Sequence, residues 1–336
     1  MQERHSQTVK RTLLVFNCHE PWVYQLGVLG YGLDIIIGLK GRYQAGWDER
    51  MRPVPANARL ITLPDALQSK SSYYCIITHN TTDLLDIKDR PEPRLIVLHS
   101  TVEGRLEEER VAVAVDKMKT ILHKYLDLTN CHAVATSITK GESWGLTEDI
   151  VTFGLDADAY LPYSGEEACG LRICNFIQSR KKILLWDLHE KAFGGLPVRL
   201  IGHNPGMPGV AAAESWDDLK RTLRRHRFYI HTADPRLEAG YNMATAEAMA
   251  AGLPVLGNRH PTSPIKHGVS GFLSDNPQEL RKYACMLLED RGLAVLMGKQ
   301  ARKTAIECFP LTKFKESFLR SIETARRKWH NSRAAL

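Results

Sequence analysis

The residues best suited to chemistry lie in one run, Glu238-Ala239-Gly240-Tyr241-Asn242-Met243-Ala244-Thr245-Ala246-Glu247-Ala248-Met249-Ala250-Ala251-Gly252-Leu253-Pro254-Val255. Asn242 is a good helix N-cap, and the strong helix formers after it are stopped by Gly252 and Pro254. A helix that starts there leaves the backbone N–H groups of Met243, Ala244 and Thr245 pointing out of its first turn, backed by the positive end of its dipole. Such an end holds an anion. Glu247 stands one turn further on, where a carboxylate facing the site accepts two sugar hydroxyls at once. The same residues also describe an ordinary helix whose small-residue face packs close to a sheet, and helix chemistry alone leaves both readings open.

Other polar residues sit at the tips of apolar runs. His99-Ser100-Thr101 follows Arg94-Leu95-Ile96-Val97-Leu98, and His79-Asn80 ends the run 73–80. Ligands bind beyond the carboxyl ends of strands in open parallel sheets, which makes these tips candidates. His19 and Glu20 follow the run 12–16 in a loop, where simple solvation is the commoner use. Gly141-Glu142-Ser143-Trp144-Gly145 matches the G-x-S-x-G hydrolase elbow. That elbow needs a strand, the serine and then a long helix; here several residues separate the strand from Ser143 and another strand-like run follows within about five. The seven cysteines are scattered and form no C-x-x-C pair, so they read as reduced core thiols, neither a disulfide frame nor a zinc site.

The elements that position these residues alternate strand and helix. Continuous apolar runs at 12–16, 33–39, 58–62, 73–80, 94–98 and 132–135 read as buried parallel strands, and 106–128 as one amphipathic helix. The alternation resumes with strands at 171–177, 198–201, 227–232, 255–258 and 268–273 and a helix at 182–193, which argues a second parallel sheet. Helices at 277–289, 293–308 and 312–329 close the chain.

At 336 residues the chain is long enough for two domains with their own cores. Its 43% apolar and 25% charged content is that of an ordinary globular protein. No apolar run approaches the roughly 18 residues of a membrane span, and the first ten residues are too polar for a leader, so a cytoplasmic protein is expected. The formal charge of +7 suits an anionic ligand, an anionic membrane surface or nucleic acid alike. Two basic clusters, Lys220, Arg221, Arg224, Arg225 and Arg227 and then Arg326, Arg327, Lys328 and Arg333, read as solvated faces, with peripheral membrane contact as the lesser alternative.

The run from Glu238 resembles the signature of retaining GT4-type glycosyltransferases of GT-B fold (glycosyl transferases group 1): E, seven residues, E, then A-M-A-x-G-x-P-V. Glu247 to Val255 match it residue for residue, whereas the first Glu position is Ala239, with Glu238 one residue early. The likeness continues in His99-Ser100-Thr101 (H-[ST]-[ST]), in His132 to Lys140 (the strand leading to V-S-x-x-x-K), in the linker Phe153-Gly154-Leu155-Asp156 to Pro162, in the strand and turn Val198 to Gly206 (I-x-G-x-G) and in Gly268 to Leu273 (G-x-x-G-x-L). The linker likeness accounts for Asp156 in Asp156-Ala157-Asp158, which otherwise mimics a metal-binding D-x-D. The resemblance is specific over about 150–290 and loose before 140.

The resemblance implies an α/β chain of two Rossmann-like domains whose parallel sheets face each other across a cleft. An acceptor domain would span 1–165, a nucleotide-sugar donor domain 166–310, and a last helix, 311–336, would cross back to the first. Glu247 would bind the nucleotide ribose, and the helix start at Asn242, Met243, Ala244 and Thr245, with Gly240 and Tyr241 before it, would hold the diphosphate. His99 and Glu238 would orient the sugar. Lys181 takes the position of a diphosphate-neutralising lysine; the matching arginine position is Asn175, with Arg180 near to supply the charge. His203 would lie near the base. The activity implied is transfer of a hexosyl group, with retention, from a nucleotide-diphosphate sugar to an acceptor that is a glycan, a lipid-linked species or a small molecule. No metal or other cofactor is expected, since cations and a helix start commonly serve the leaving diphosphate in this fold, and nucleic acid is not the expected partner. The alternative is a non-catalytic protein of the same fold, for which Ala239 and Asn175 argue.

Overall fold

The computed structural model describes residues 11–39 and 46–334. The first ten residues, on which the expectation about a leader rests, lie outside them. Six parallel strands form the first sheet: β1 (Thr12–Phe16), β2 (Gly32–Ile37), β3 (Ala58–Thr62), β4 (Cys75–Thr78), β5 (Arg94–Leu98) and β6 (His132–Ala135), in the order β3-β2-β1-β4-β5-β6. The order reverses beside β1, which places a crevice at the carboxyl ends of β1 and β4. The second sheet holds β7 (Glu167–Ile173), β8 (Val198–Ile201), β9 (His226–Ile230), β10 (Val255–Gly257) and β11 (Gly271–Leu273), also parallel, in the order β11-β10-β9-β7-β8. The inner strands are buried on both faces, which is why β1 and β4 read as continuous apolar runs, while β5 and β9 each take in a buried arginine at their start.

The last helix, Leu311–Ala334, buries Phe314, Phe318, Ser321, Ile322, Ala325 and Trp329, a stripe at three- and four-residue spacing. It lies on the first sheet: the Arg326 guanidinium donates to the Tyr74 carbonyl (2.7 Å) and the Lys328 ammonium to that of Cys131 (2.7 Å). The sheets also meet through Gly104, where an added Cβ would stand 2.0 Å from the Leu237 carbonyl oxygen, and through Thr101, whose hydroxyl donates to that same oxygen (2.9 Å).

Several element expectations are corrected. The single helix expected over 106–128 is two, Val102–Glu109 and Val115–Leu128, because Arg110 turns left-handed (φ 53°) and ends the first. The helix expected at 182–193 begins only at Trp186, behind a tight turn at Leu185 (φ 46°). The expected strand 171–177 is set back to β7, so Asn175 lies past its end. The G-x-S-x-G run lies in the helix Ile138–Trp144 and its cap, and Ser143 donates its hydroxyl to Glu103 (2.8 Å). Asp158 of the D-x-D pairs with Arg302 (2.6 Å) and Asp156 caps its own turn. Neither basic cluster stands as a bare cationic face: Arg225 pairs with Glu166 (2.6 Å), Arg227 is buried in β9, and Arg326 stacks on Tyr74. No helix of the described residues is long and apolar enough to cross a membrane.

Candidate active site in the cleft between the sheets

β9 leads through the loop 231–242 into the helix Met243–Ala251, so the helix start stands at the carboxyl edge of the second sheet. Asn242 caps it, its side-chain oxygen accepting from the Thr245 N–H (2.8 Å) and the Thr245 hydroxyl (2.9 Å). The cap therefore uses one of the three donors expected to face an anion, and Thr245 is fully buried. Asn242, Met243 and Ala244 line a cleft of about 510 Å³ walled by both sheets. Gly240 is packing rather than lining: a Cβ there would stand 2.6 Å from His260 Nδ1, and its N–H donates to Thr262 (2.9 Å). Tyr241 lines the cleft, wedged between the rings of Phe153 and Phe309 (centroids 6.1 and 5.2 Å).

Glu247 reaches the cleft wall but is 5% exposed, and Arg52, from the first domain, donates to it in a buried ion pair. The guanidinium of Arg52 also lies over Trp216, 4.4 Å from the ring centroid. Sequence reasoning missed this partner because it lies 195 residues away, in a loop without a motif.

Glu238 also faces the cleft. Lys140 approaches it at 2.9 Å and Arg180 at 3.9 Å, and it accepts from the Ala239 N–H (2.8 Å). Burial pushes this carboxyl up, but Lys140, the Ala239 amide and Arg180 outweigh burial and hold it below its ordinary value. Lys140 lies in the helix Ile138–Trp144, and its place in the sequence alone does not assign it this role. Lys181, expected here, is exposed and lies outside the cleft lining, in the turn before Trp186, where its carbonyl accepts from the Trp186 N–H (2.9 Å). Arg180, one residue earlier, lines the cleft and also meets Glu108 (3.4 Å). Asn175 lines it too, its side-chain oxygen accepting from the His203 N–H (2.8 Å). The ring of His203 itself is exposed, edge-on to Phe176 and outside the lining set.

On the opposite wall, His99 follows β5, and its Nε2 is 2.9 Å from Nδ1 of His79 and 3.8 Å from Sγ of Cys18. Burial, then His79 and Lys140, push the His99 imidazole well down, and burial pushes His79 down to about 3. His19 also lines the cleft, pushed down to about 4 by burial, Arg52 and Arg180. All three imidazoles are therefore neutral at pH 7. Glu20 turns inward, fully buried, and accepts from the side chain of Asn17 (3.2 Å) and the Asp48 N–H (3.2 Å).

The cleft thus combines a helix start, the cations Lys140 and Arg180, the carboxylates Glu238 and Glu247 and neutral imidazoles. Residues 196–290 match the family model described as Glycosyl transferases group 1. No curated protein matches the chain. Among solved structures it is similar to HepE of Anabaena in complex with UDP and glucose, at 14% identity over 94% of this chain and 99% of that one, with a TM-score of 0.66. It is similar to sucrose-phosphate synthase of Thermosynechococcus elongatus at 13% identity over 94% and 98% (TM-score 0.65). It is also similar to an alpha-glucosyltransferase in complex with UDP and a 13-mer DNA, at 10% identity over 93% and 99% (TM-score 0.62). The fold is GT-B.

Proposed function

We propose that this chain transfers a hexosyl group, with retention, from a nucleotide-diphosphate sugar to an acceptor held mainly by the first domain. The observation that carries the reading is the Asn242-capped helix start opening into the cleft, with Met243 and Ala244 at the wall and Lys140 and Arg180 lining the same space. The N–H groups and cations take up the charge that develops as the bond from the anomeric carbon to the diphosphate oxygen breaks. The acceptor hydroxyl attacks that carbon from the face the diphosphate leaves, and its proton passes to the departing diphosphate. Glu247 clasps the ribose, which requires the Arg52 guanidinium to yield its place, and His99 and Glu238 orient the sugar. The like family model over 196–290, and UDP in the complexes of HepE and the alpha-glucosyltransferase, support a nucleotide-sugar donor.

One observation favours the second reading, a non-catalytic binder of the same fold: both carboxylates are already engaged, Glu247 by Arg52 and Glu238 by Lys140. Incubation with a panel of nucleotide sugars separates the two. Release of nucleoside diphosphate that Glu238→Ala abolishes supports transfer; tight binding with no release supports the binder.

A further inference from the structure

Cys18, His79 and His99 come from three different segments: the loop after β1, the end of β4 and the end of β5. Cys18 and His99 are 81 residues apart and His79 and His99 are 20 apart, so no local spacing announces them. Sheet order brings them together, since β1, β4 and β5 are consecutive neighbours and all three side chains leave from their carboxyl ends. One ligating atom from each, Cys18 Sγ and a ring nitrogen from each histidine, lies within 4.8 Å of the others. A tetrahedral zinc ion with the usual Zn–N and Zn–S lengths sets its ligands about 3.3–3.6 Å apart. The observed His79–His99 and Cys18–His99 separations, 2.9 and 3.8 Å, lie within about half an ångström of those values, and the Cys18–His79 pair, held within 4.8 Å, closes by about 1.2 Å at most to reach them.

The surroundings hold the three in place. Trp22 makes T-shaped contacts with both imidazoles, its centroid 5.1 Å from that of His79 (78° between planes) and 5.0 Å from that of His99 (85°). The Asp83 carboxylate accepts from the backbone N–H groups of His79 (2.8 Å) and Asn80 (3.0 Å), which locks the strand end that carries the first imidazole. All three ligands line the cleft, so a fourth coordination position faces it.

We propose that Cys18, His79 and His99 form a binding site for a single thiophilic divalent ion of the zinc class, with three protein ligands and the fourth position open to the cleft. One thiolate and two imidazoles select zinc or cobalt over magnesium or calcium, which prefer oxygen ligands. The site lies on the first-domain wall, across from the helix start at Met243, and neutralises no part of a diphosphate there. It does not depend on the transfer reading. An ion seated on Nε2 of His99 and a sugar hydroxyl bound through the same nitrogen exclude one another.

The test is a titration of the full-length protein with cobalt(II), followed by absorbance. The expected result is one ion per chain, a thiolate-to-cobalt charge-transfer band in the near ultraviolet, visible bands of tetrahedral intensity, and bleaching of both on addition of zinc. Cys18→Ser removes the charge-transfer band, and His79→Gln weakens binding at least about 10-fold. Both variants are to keep the wild-type far-ultraviolet circular dichroism, and zinc is to raise the melting temperature of the wild type but not of Cys18→Ser. The remaining six cysteines serve as the internal control. Absence of the band, or a band that survives Cys18→Ser, overturns the proposal.

Discussion

Glu247 was legible from the sequence because its meaning travels with a contiguous motif, and the structure brings it to the cleft wall. Its partner was not legible: nothing around Arg52 distinguishes it from any loop arginine until the two domains are placed together. The same holds for the ammonium beside Glu238. Reading by motif position picks Lys181, whereas the fold brings up Lys140 from the first domain, because a turn carries Lys181 outward. Replacing Glu247 with Gln removes a charged acceptor while keeping its shape. Nucleoside-diphosphate affinity, read by isothermal calorimetry, is expected to fall roughly 10-fold or more, in line with about 1.5–3 kcal/mol for a hydrogen bond to a charged group. Lys140→Ala leaves Glu238 with Arg180 at 3.9 Å as its cation, so the carboxyl loses its nearest positive charge and its pKa rises. Carboxylate titration by NMR in wild type and variant checks this, and an unmoved pKa is the contrary result.

Most strands were legible as apolar runs, because burial on both faces leaves such strands few polar positions. Element ends were less so. A left-handed residue such as Arg110 or Leu185 interrupts a helix without a glycine or proline to announce it. The last helix matters to the cleft as well as to the core. Phe318 is fully buried and packs edge-on to Trp22 (5.7 Å, 69°), and Trp22 in turn braces His79 and His99. Phe318→Ala is expected to cost about 3–5 kcal/mol in urea unfolding, with broadened histidine resonances below the transition. At the helix start, Asn242→Ala frees the Thr245 N–H from its cap and is expected to cost about 1 kcal/mol. The segment carrying Arg52 gives a two-part expectation. Arg52→Ala lowers the melting temperature of the free protein, since it leaves Glu247 without its buried cation, yet it strengthens nucleotide binding because nothing need then be displaced. Weaker binding on calorimetry would show that Arg52 holds the nucleotide instead of yielding to it.

Across the molecule, a recurrent feature is histidine buried in its neutral form. Burial pushes His19 and His231 down to about 4, and His79 and His189 to about 3. An unfolded chain takes up these protons near pH 6.5 while the folded chain does not, so the unfolded state binds more protons throughout the interval and stability rises with pH there. The urea midpoint is therefore expected to be lower at pH 5 than at pH 7.5, with the loss accumulating as pH falls from about 6.5 toward about 4. An equal midpoint at the two values would contradict this burial. At the same scale, two parallel sheets whose carboxyl edges face one space explain how residues from 18 to 247 come to line a single cleft. A crystal structure with a bound nucleoside diphosphate tests the central claim most directly. The account predicts diphosphate oxygens on the N–H groups of Met243 and Ala244, the ribose on Glu247, and Arg52 withdrawn from that carboxylate. A nucleotide seated elsewhere, or one bound in the cleft with the Arg52–Glu247 pair intact and the helix start untouched, would contradict it.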